Sequence, residues 1–298
     1  MGESSVHSGS VRYCGREYTA AELVIIREII ADRERNPTRS AISRAVCARL
    51  DLRQANGKLK DVSCRVALKR MHEDGLIELP PPQDGPPRRV TPELTSASAR
   101  GEPIVGSAGD LEAVHLRRVN SKADSRLWNE LVARYHYLGY RRLVGAQLRY
   151  LALDGDRLLG LLGFGASAWK VGPRDEFIGW TESERKAHLH LVVNNARFLI
   201  LPWVRVKNLA SHLLSLAAKK LVDDWLRIYN YQPVLLETFV DECFLGTSYR
   251  AANWIFLGQT TGRGKKQGRG RRRRDFPIKS IFVYPLCRDF RRLLGVER

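Results

Sequence analysis

The chain has 298 residues, 44% hydrophobic and 28% charged, with 50 Lys and Arg against 32 Asp and Glu for a formal net charge of +18. The length suits about two domains of roughly 100–200 residues each. No apolar run approaches the roughly twenty residues of a membrane span, and five scattered cysteines with no C-x-x-C pair argue against a disulfide framework or zinc site and fit a reducing cytoplasm.

Residues 1–10 read as a disordered N-terminus. MGESSVHSGS lacks the apolar core of a signal peptide, and Val6 stands where a myristoylation site needs Ser or Thr. Residues 11–82 read as a winged helix-turn-helix. Thr19 and Glu22 form a capping box ahead of Leu23, Ile26, Ile29 and Ile30 on one helical face. A second helix begins near Thr38, after Pro37, and turns Ile42, Ala45, Val46 and Leu50 inward. Asn56-Gly57 marks a turn, and a third helix runs from about Lys60 to Glu73. Its Cys64, Ala67, Leu68 and Met71 recur at i, i+3, i+4 and i+7. Gly75 caps it, and Leu76–Leu79 is a short strand. In this fold the third helix enters the major groove, so Lys60, Ser63, Arg65, Lys69 and Arg70 on its other face are candidate DNA contacts. The alternative is a protein-interaction module with a solvated basic face.

Residues 83–110, rich in Pro, Gly, Ser and Thr, read as a linker. Residues 111–298 read as a mixed α/β domain. Glu112–Val119 alternates as a strand, and a helix follows over Asp124–Tyr135. Leu148–Leu153 and Arg157–Phe164 form a hairpin about Asp154-Gly155. Ala196–Leu201 is a strand stopped by Pro202. A long helix runs from Asn208 to Ile228, Val234–Val240 is a strand, and Gly246–Trp254 holds a short helix. Ile255–Leu257 and Lys279–Tyr284 complete the sheet. This order is that of the GNAT-like N-acetyltransferase fold. That fold holds acyl-CoA pyrophosphate on a glycine-bearing turn at the start of the long helix. Here Arg205 and Ala210 fit the turn, but Asn208 replaces the glycine. Acyl transfer is therefore the weaker alternative, and no acyl-CoA is expected.

Three polar clusters carry candidate chemistry. Asp175, Glu237 and Asp241 are candidate catalytic carboxylates holding Mg²⁺ or Mn²⁺, hard cations that take oxygen ligands and activate water toward a phosphodiester. Their alternative role is to cap helices or to pair with Arg174, Arg197 or Arg250. His188-Leu189-His190 resembles the His-hydrophobic-His element of nickases. On a strand its two imidazoles would share one face, with Tyr249 as nucleophile; a surface pair is the alternative. The stretch GRGKKQGRGRRRR, residues 262–274, has eight basic residues and no acid. Its Arg263, Lys265, Lys266, Arg269, Arg271, Arg272, Arg273 and Arg274 suit the phosphate backbone, since guanidinium groups bind phosphate bidentately. Tyr137 and Tyr249 are candidates for stacking on bases, Arg197 joins the DNA-contacting set, and Asn253 joins the candidate catalytic set.

RYHYLGY (Arg134–Tyr140), RDEFIGW (Arg174–Trp180), NNARFLILPWVRVKNLASHLL (Asn194–Leu214) and the segment Glu237–Lys265 resemble the DruA-like family. That family is named for a component of the Druantia anti-phage systems, and its relatives include mobile-element proteins and transposases. The first domain shares the resemblance through ISRAVCARLDLRQANGKLKD and GLIELPP. The resemblance implies a role in anti-phage defence or DNA mobility. It also implies double- or single-stranded DNA and other proteins of such a system as partners, without a membrane. The charge excess points the same way, toward a polyanion. The expectation is therefore a DNA-binding protein, with a metal-dependent nuclease or transposase as the alternative.

Overall fold

The computed structural model describes residues 10–54, 57–82, 91–143, 145–262 and 277–296. The chain divides into two compact units, Met1–Val90 and Thr91–Arg298.

The first unit opens with a hairpin of β1 (Val11–Tyr13) and β2 (Arg16–Tyr18). The turn between them places both Cys14 and Gly15 at positive φ, the backbone of the tight turns that match strand twist. Helix α1 (Ala20–Ala31) starts at the expected capping box: Glu22 N–H donates to Thr19 Oγ1 at 3.2 Å, and Thr19 N–H to Glu22 Oε2 at 3.0 Å. In α2 (Arg39–Arg49) Thr38 accepts from Ala41 N–H. The apolar stripe of α3 (Asp61–Glu73) meets both helices through Cys64, Ala67, Leu68 and Met71, all buried with Ile26, Ile42 and Val46. Leu76–Leu79 is not a strand. The two strands of this unit precede α1, so none is at hand to pair with it. Side chains meet this segment instead: Arg27 Nη2 donates to Leu76 O at 3.0 Å, His72 Nδ1 lies 3.2 Å from Ile77 O, and just beyond it Arg39 Nε donates to Pro80 O at 2.6 Å. Among the described residues the expected wing is absent, and the unit is a three-helix module behind a hairpin.

The second unit begins earlier than the expected linker allows. Thr95 N–H and Oγ1–H both donate to the buried Glu130 carboxylate at 2.9 and 2.7 Å. Strand β3 (Ile104–Ser107) later pairs in parallel with β8. These contacts make residues 91–110 part of the folded unit; 83–90 lie outside the described residues.

Next come β4 (Val114–Arg118), α4 (Lys122–Tyr135), β5 (Gln147–Asp154) and β6 (Arg157–Ala166). Two short helices follow, α5 (Gly172–Ile178) and α6 (Glu182–His188), then β7 (Val192–Ile200) and β8 (Val204–Lys207). The 21-residue α7 (Leu209–Tyr229) leads to β9 (Leu235–Asp241), α8 (Thr247–Ala251), β10 (Ile255–Gln259), β11 (Lys279–Pro285) and α9 (Phe290–Leu293).

One seven-stranded sheet runs β4-β5-β6-β7-β9-β11-β10, antiparallel throughout except where β7 lies parallel to β9. This is the strand and helix succession expected for a GNAT-like mixed sheet. The stripe of α7 (Leu213, Leu214, Ala217, Leu221, Trp225) shares one core with Trp128, Tyr150, Leu162 and Phe164. Gly160 is required in β6 because a Cβ there would lie 2.4 Å from Leu199 O of the neighbouring strand. No described helix is long and apolar enough to cross a membrane.

Candidate functional site

The site lies where the sheet changes direction. β7 and β9 pair only over Val192–Asn194 and Leu235–Glu237. Beyond that point β7 continues against β6 and β9 against β11, and the two strands share no further register. A cavity of about 530 Å³ opens there, walled by Asn195, Ala196, Phe198, Leu199 and Ile200 of β7, Thr238–Val240 of β9, Tyr135–Leu138 after α4, and Phe244–Tyr249 leading into α8.

Two devices hold the opening. The β6–β7 register slips by one residue between Gly163↔Arg197 and Phe164↔Asn195, which leaves Ala196 as the extra residue of a bulge. Asn195 fixes this bulge, its Nδ2 donating to Arg197 O at 3.1 Å and to Gly163 O at 3.3 Å. Its Oδ1 accepts from the Tyr249 hydroxyl at 2.7 Å, and Thr238 Oγ1 donates to Asn195 O at 3.1 Å. Gly246 at the start of α8 has φ +67°, and a Cβ there would sit 2.6 Å from the Phe282 ring. Only glycine fits both the backbone and the ring.

Beside this cavity is a buried ion network. Arg174, fully buried, donates from Nη1 to Glu237 Oε2 and to Ala168 O, both at 2.8 Å, and from Nη2 to Asp175 Oδ1 at 2.7 Å. Glu237 Oε1 accepts from Ala168 N–H at 2.9 Å. Asp175 also receives Trp180 Nε1–H and an ion pair from Arg185. Burial pushes the Glu237 carboxyl up, against the opposing pull of Arg174. Asp175 and Glu237 converge on Arg174 rather than on a shared open point, and Asp241 sits at the far end of β9 opposite Lys279. Among the described residues no three His, Cys, Asp or Glu side chains are grouped to hold a metal.

Tyr249 is buried, and burial pushes its phenol well above the ordinary range. Hydrogen-bonded to Asn195, it supports the cavity wall from within the core. The two histidines do not share a strand face. His188 ends α6 with Nδ1 against Glu184 O, and His190 lies in a single 3₁₀ turn with its ring edge-on to Tyr231. Asn253 stands just after α8 at φ +62°, a left-handed position that Asn tolerates. Asn208 likewise supplies the left-handed cap of α7 that a glycine would otherwise give.

Tyr137 is half exposed at the cavity mouth, stacked on His136 at 4.8 Å and edge-on to Phe244 at 5.1 Å. Arg197, 9% exposed, donates from Nη1 to Ala196 O at 2.6 Å, while its Nε has no acceptor. Burial and the neighbouring charges of Arg197 and Lys279 push the His136 imidazole down to about 4. On α3, Lys60, Ser63, Lys69 and Arg70 are exposed, but Arg65 pairs with Asp61 at 3.1 Å and Lys69 with Glu73 at 3.4 Å. Arg263, Lys265, Lys266, Arg269, Arg271, Arg272, Arg273 and Arg274 lie outside the described residues. Their segment connects β10 to β11, whose last paired residues are Gln259 and Ser280. Sequence reasoning missed Asn195, Thr238 and His136. The signal was present in Asn195 and Thr238, polar residues within largely buried strands.

The family model described as Druantia protein DruA matches residues 85–268. No curated protein matches the chain. Among solved structures, the chain is similar to a spermidine N-acetyltransferase from Vibrio cholerae in complex with CoA and spermine, at 12% identity over 58% of this chain and 95% of that one, TM-score 0.38. It is also similar to the aminoglycoside acetyltransferase AAC(6')-Ib in complex with coenzyme A, at 15% identity over 60% and 96%, TM-score 0.38. A probable GNAT-family acetyltransferase from Chromobacterium violaceum gives 15% identity over 70% and 96%, TM-score 0.36. Likenesses this weak carry no argument about chemistry.

Proposed function

This chain belongs to the DruA family, and from that premise we propose that it is the nucleic-acid-binding component of an anti-phage defence system, gripping the phosphate backbone with the connection between β10 and β11. The observation that carries this reading is the eight basic residues and no acid within residues 262–274. Such a run neutralises phosphates without reading sequence, and arginines do so bidentately. The stem of that connection supports the reading: Thr260 N–H donates to Lys279 O at 2.8 Å and Lys279 N–H to Thr260 Oγ1 at 2.9 Å. Lys279 lies opposite Asp241 in the β9–β11 register, so the stem leaves the sheet at the cavity's end of β9.

Helix α3 is the secondary contact in this reading. Two of its five candidate side chains, Arg65 and Lys69, already pair with acids of the same helix. Tyr137 and Arg197 would face nucleic acid at the cavity mouth, and other proteins of the same defence system are the expected partners. Strand cleavage with Mg²⁺ or Mn²⁺ has no comparable support, since Asp175 and Glu237 already neutralise Arg174.

The test is a titration of the full chain against duplex and single-stranded DNA across a salt series. Six to ten phosphate contacts predict a loss of about a thousandfold to a hundred-thousandfold in affinity between roughly 50 and 200 mM salt. Binding that ignores salt, or no binding at the lower salt, contradicts the proposal.

A further inference from the structure

We infer that the cavity between β7 and β9 receives an unstacked nucleobase, with the phosphate of the same nucleotide on Arg197. This rests on the nucleic-acid reading above and specifies its ligand: a single-stranded or extruded nucleotide rather than intact duplex.

Arg197 supplies the first observation. It is nine-tenths buried, its Nε lacks an acceptor, and among the described residues no carboxylate lies within ion-pair distance of it. The nearest charges that act on it are of its own sign or nearly neutral: Arg141, and the phenol of Tyr137. Lys279 and Arg197 together bear on His136. A buried cation with no counter-charge is costly, and an anion beside His136 and Tyr137, the lining residues whose charges couple to Arg197, would relieve the cost. Arg174 makes the contrast plain, because it is also buried and has two carboxylates.

The cavity itself supplies the second. Its volume of about 530 Å³ lies in the usual range of roughly 300–1,000 Å³ for small-ligand sites. Tyr137, Phe198, Phe239 and Phe244 give it aromatic walls, and every base has a π-face to stack on them. The mouth is apolar and open to solvent, with Tyr137 half exposed, Phe244 exposed and Leu245 at 85% exposure. Where β7 and β9 part, each is paired on its outer side only. Their inner edges therefore present backbone donors and acceptors of the kind that meet a base edge. The described stem of the β10–β11 connection, at Lys279 opposite Asp241, lies at the same end of β9.

The experiment compares full-length wild type, Arg197→Met and Leu245→Glu. Each is titrated with a single-stranded oligodeoxynucleotide and with the duplex of the same sequence. Wild type should prefer the single strand. Arg197→Met and Leu245→Glu should each lower single-strand affinity, on the order of ten- to a hundredfold, as loss of one stacked base does, while duplex affinity holds within about threefold. Arg197→Met should also raise the melting temperature of the free protein, because it removes an unpaired buried charge; a purely structural arginine would lower it. Equal affinity of wild type for both forms overturns the inference and leaves the nucleic-acid reading standing, as does unchanged single-strand binding in both variants. No binding of either form overturns both. Thermal stabilisation by acetyl-coenzyme A that Leu245→Glu abolishes, with no response to oligonucleotide, overturns it in favour of an acyl carrier.

Discussion

The two units carry charge in different ways. Residues 1–90 hold 16 basic and 12 acidic side chains, a net of +4, whereas residues 91–298 hold 34 and 20, a net of +14. In the first unit the ion pairs are local: Arg16 with Glu22, Arg65 with Asp61, Lys69 with Glu73. In the second, Arg174 reaches Glu237 across 63 residues in full burial, and Arg197 is buried with no ion-paired acid among the described residues. A helix with a basic face thus turns out to be nearly balanced by its own acids, while the sheet unit buries Arg197 without an ion-paired acid among the described residues. The proposed function accordingly places its nucleic-acid contact on the second unit, with α3 in support.

The comparison breaks most sharply at Glu237. Glu237→Ala strands a buried guanidinium, and loss of one member of a buried pair costs about 3–5 kcal/mol. Chemical denaturation should show that loss in the transition of the second unit alone. An effect below about 1 kcal/mol would mean that water or Asp175 suffices for Arg174.

A smaller effect comes from pH. His136 titrates near 4 in the folded chain, below its ordinary value of 6.5. Above 6.5 the imidazole is neutral in both states. As pH falls from 6.5 toward 4 the unfolded chain takes up the proton first, so stability declines by up to about 1.4 kcal/mol per unit. His136→Gln should flatten that decline, and an unchanged slope would assign it to other groups. The smallest effect lies in the first unit, where Thr19→Ala should cost about 1 kcal/mol through the lost cap. It should leave the second unit's transition where it was; a shift there would contradict the independence of the two cores.

The sequence made some elements plain for identifiable reasons. The capping box of α1, the Asp154-Gly155 hairpin and the stripe of α7 are local patterns, and local patterns suffice for them. The β3–β8 ladder was hidden because its strands are four residues each and lie 100 residues apart; IVGS inside a Pro/Gly/Ser-rich stretch reads as linker. The short strand at Leu76–Leu79 was expected from composition, yet a strand needs a partner, and side chains meet this segment instead. The segments that carry the family resemblance supply the cavity's walls. The roles within them depend on three-dimensional pairing. Glu237 and Asp175 became partners of Arg174 rather than metal ligands, one of the alternatives that the neighbouring arginines had suggested. Tyr249 became a buried support through Asn195. The cavity exists because β7 and β9 diverge after three paired residues, and divergence has no signature in a single chain's spacing.

The most direct test of the central claim measures the salt dependence of DNA binding for two full-length variants beside wild type. One replaces the eight basic residues within 262–274 by Ser; the other replaces Lys60, Lys69 and Arg70 of α3 by Ala. With each phosphate contact contributing about 0.9 to the slope of log affinity against log salt, the first variant should lose about 7 from the slope and the second no more than about 3. An unchanged slope in the first variant, with binding lost in the second, would contradict the assignment of the nucleic-acid interface to the second unit.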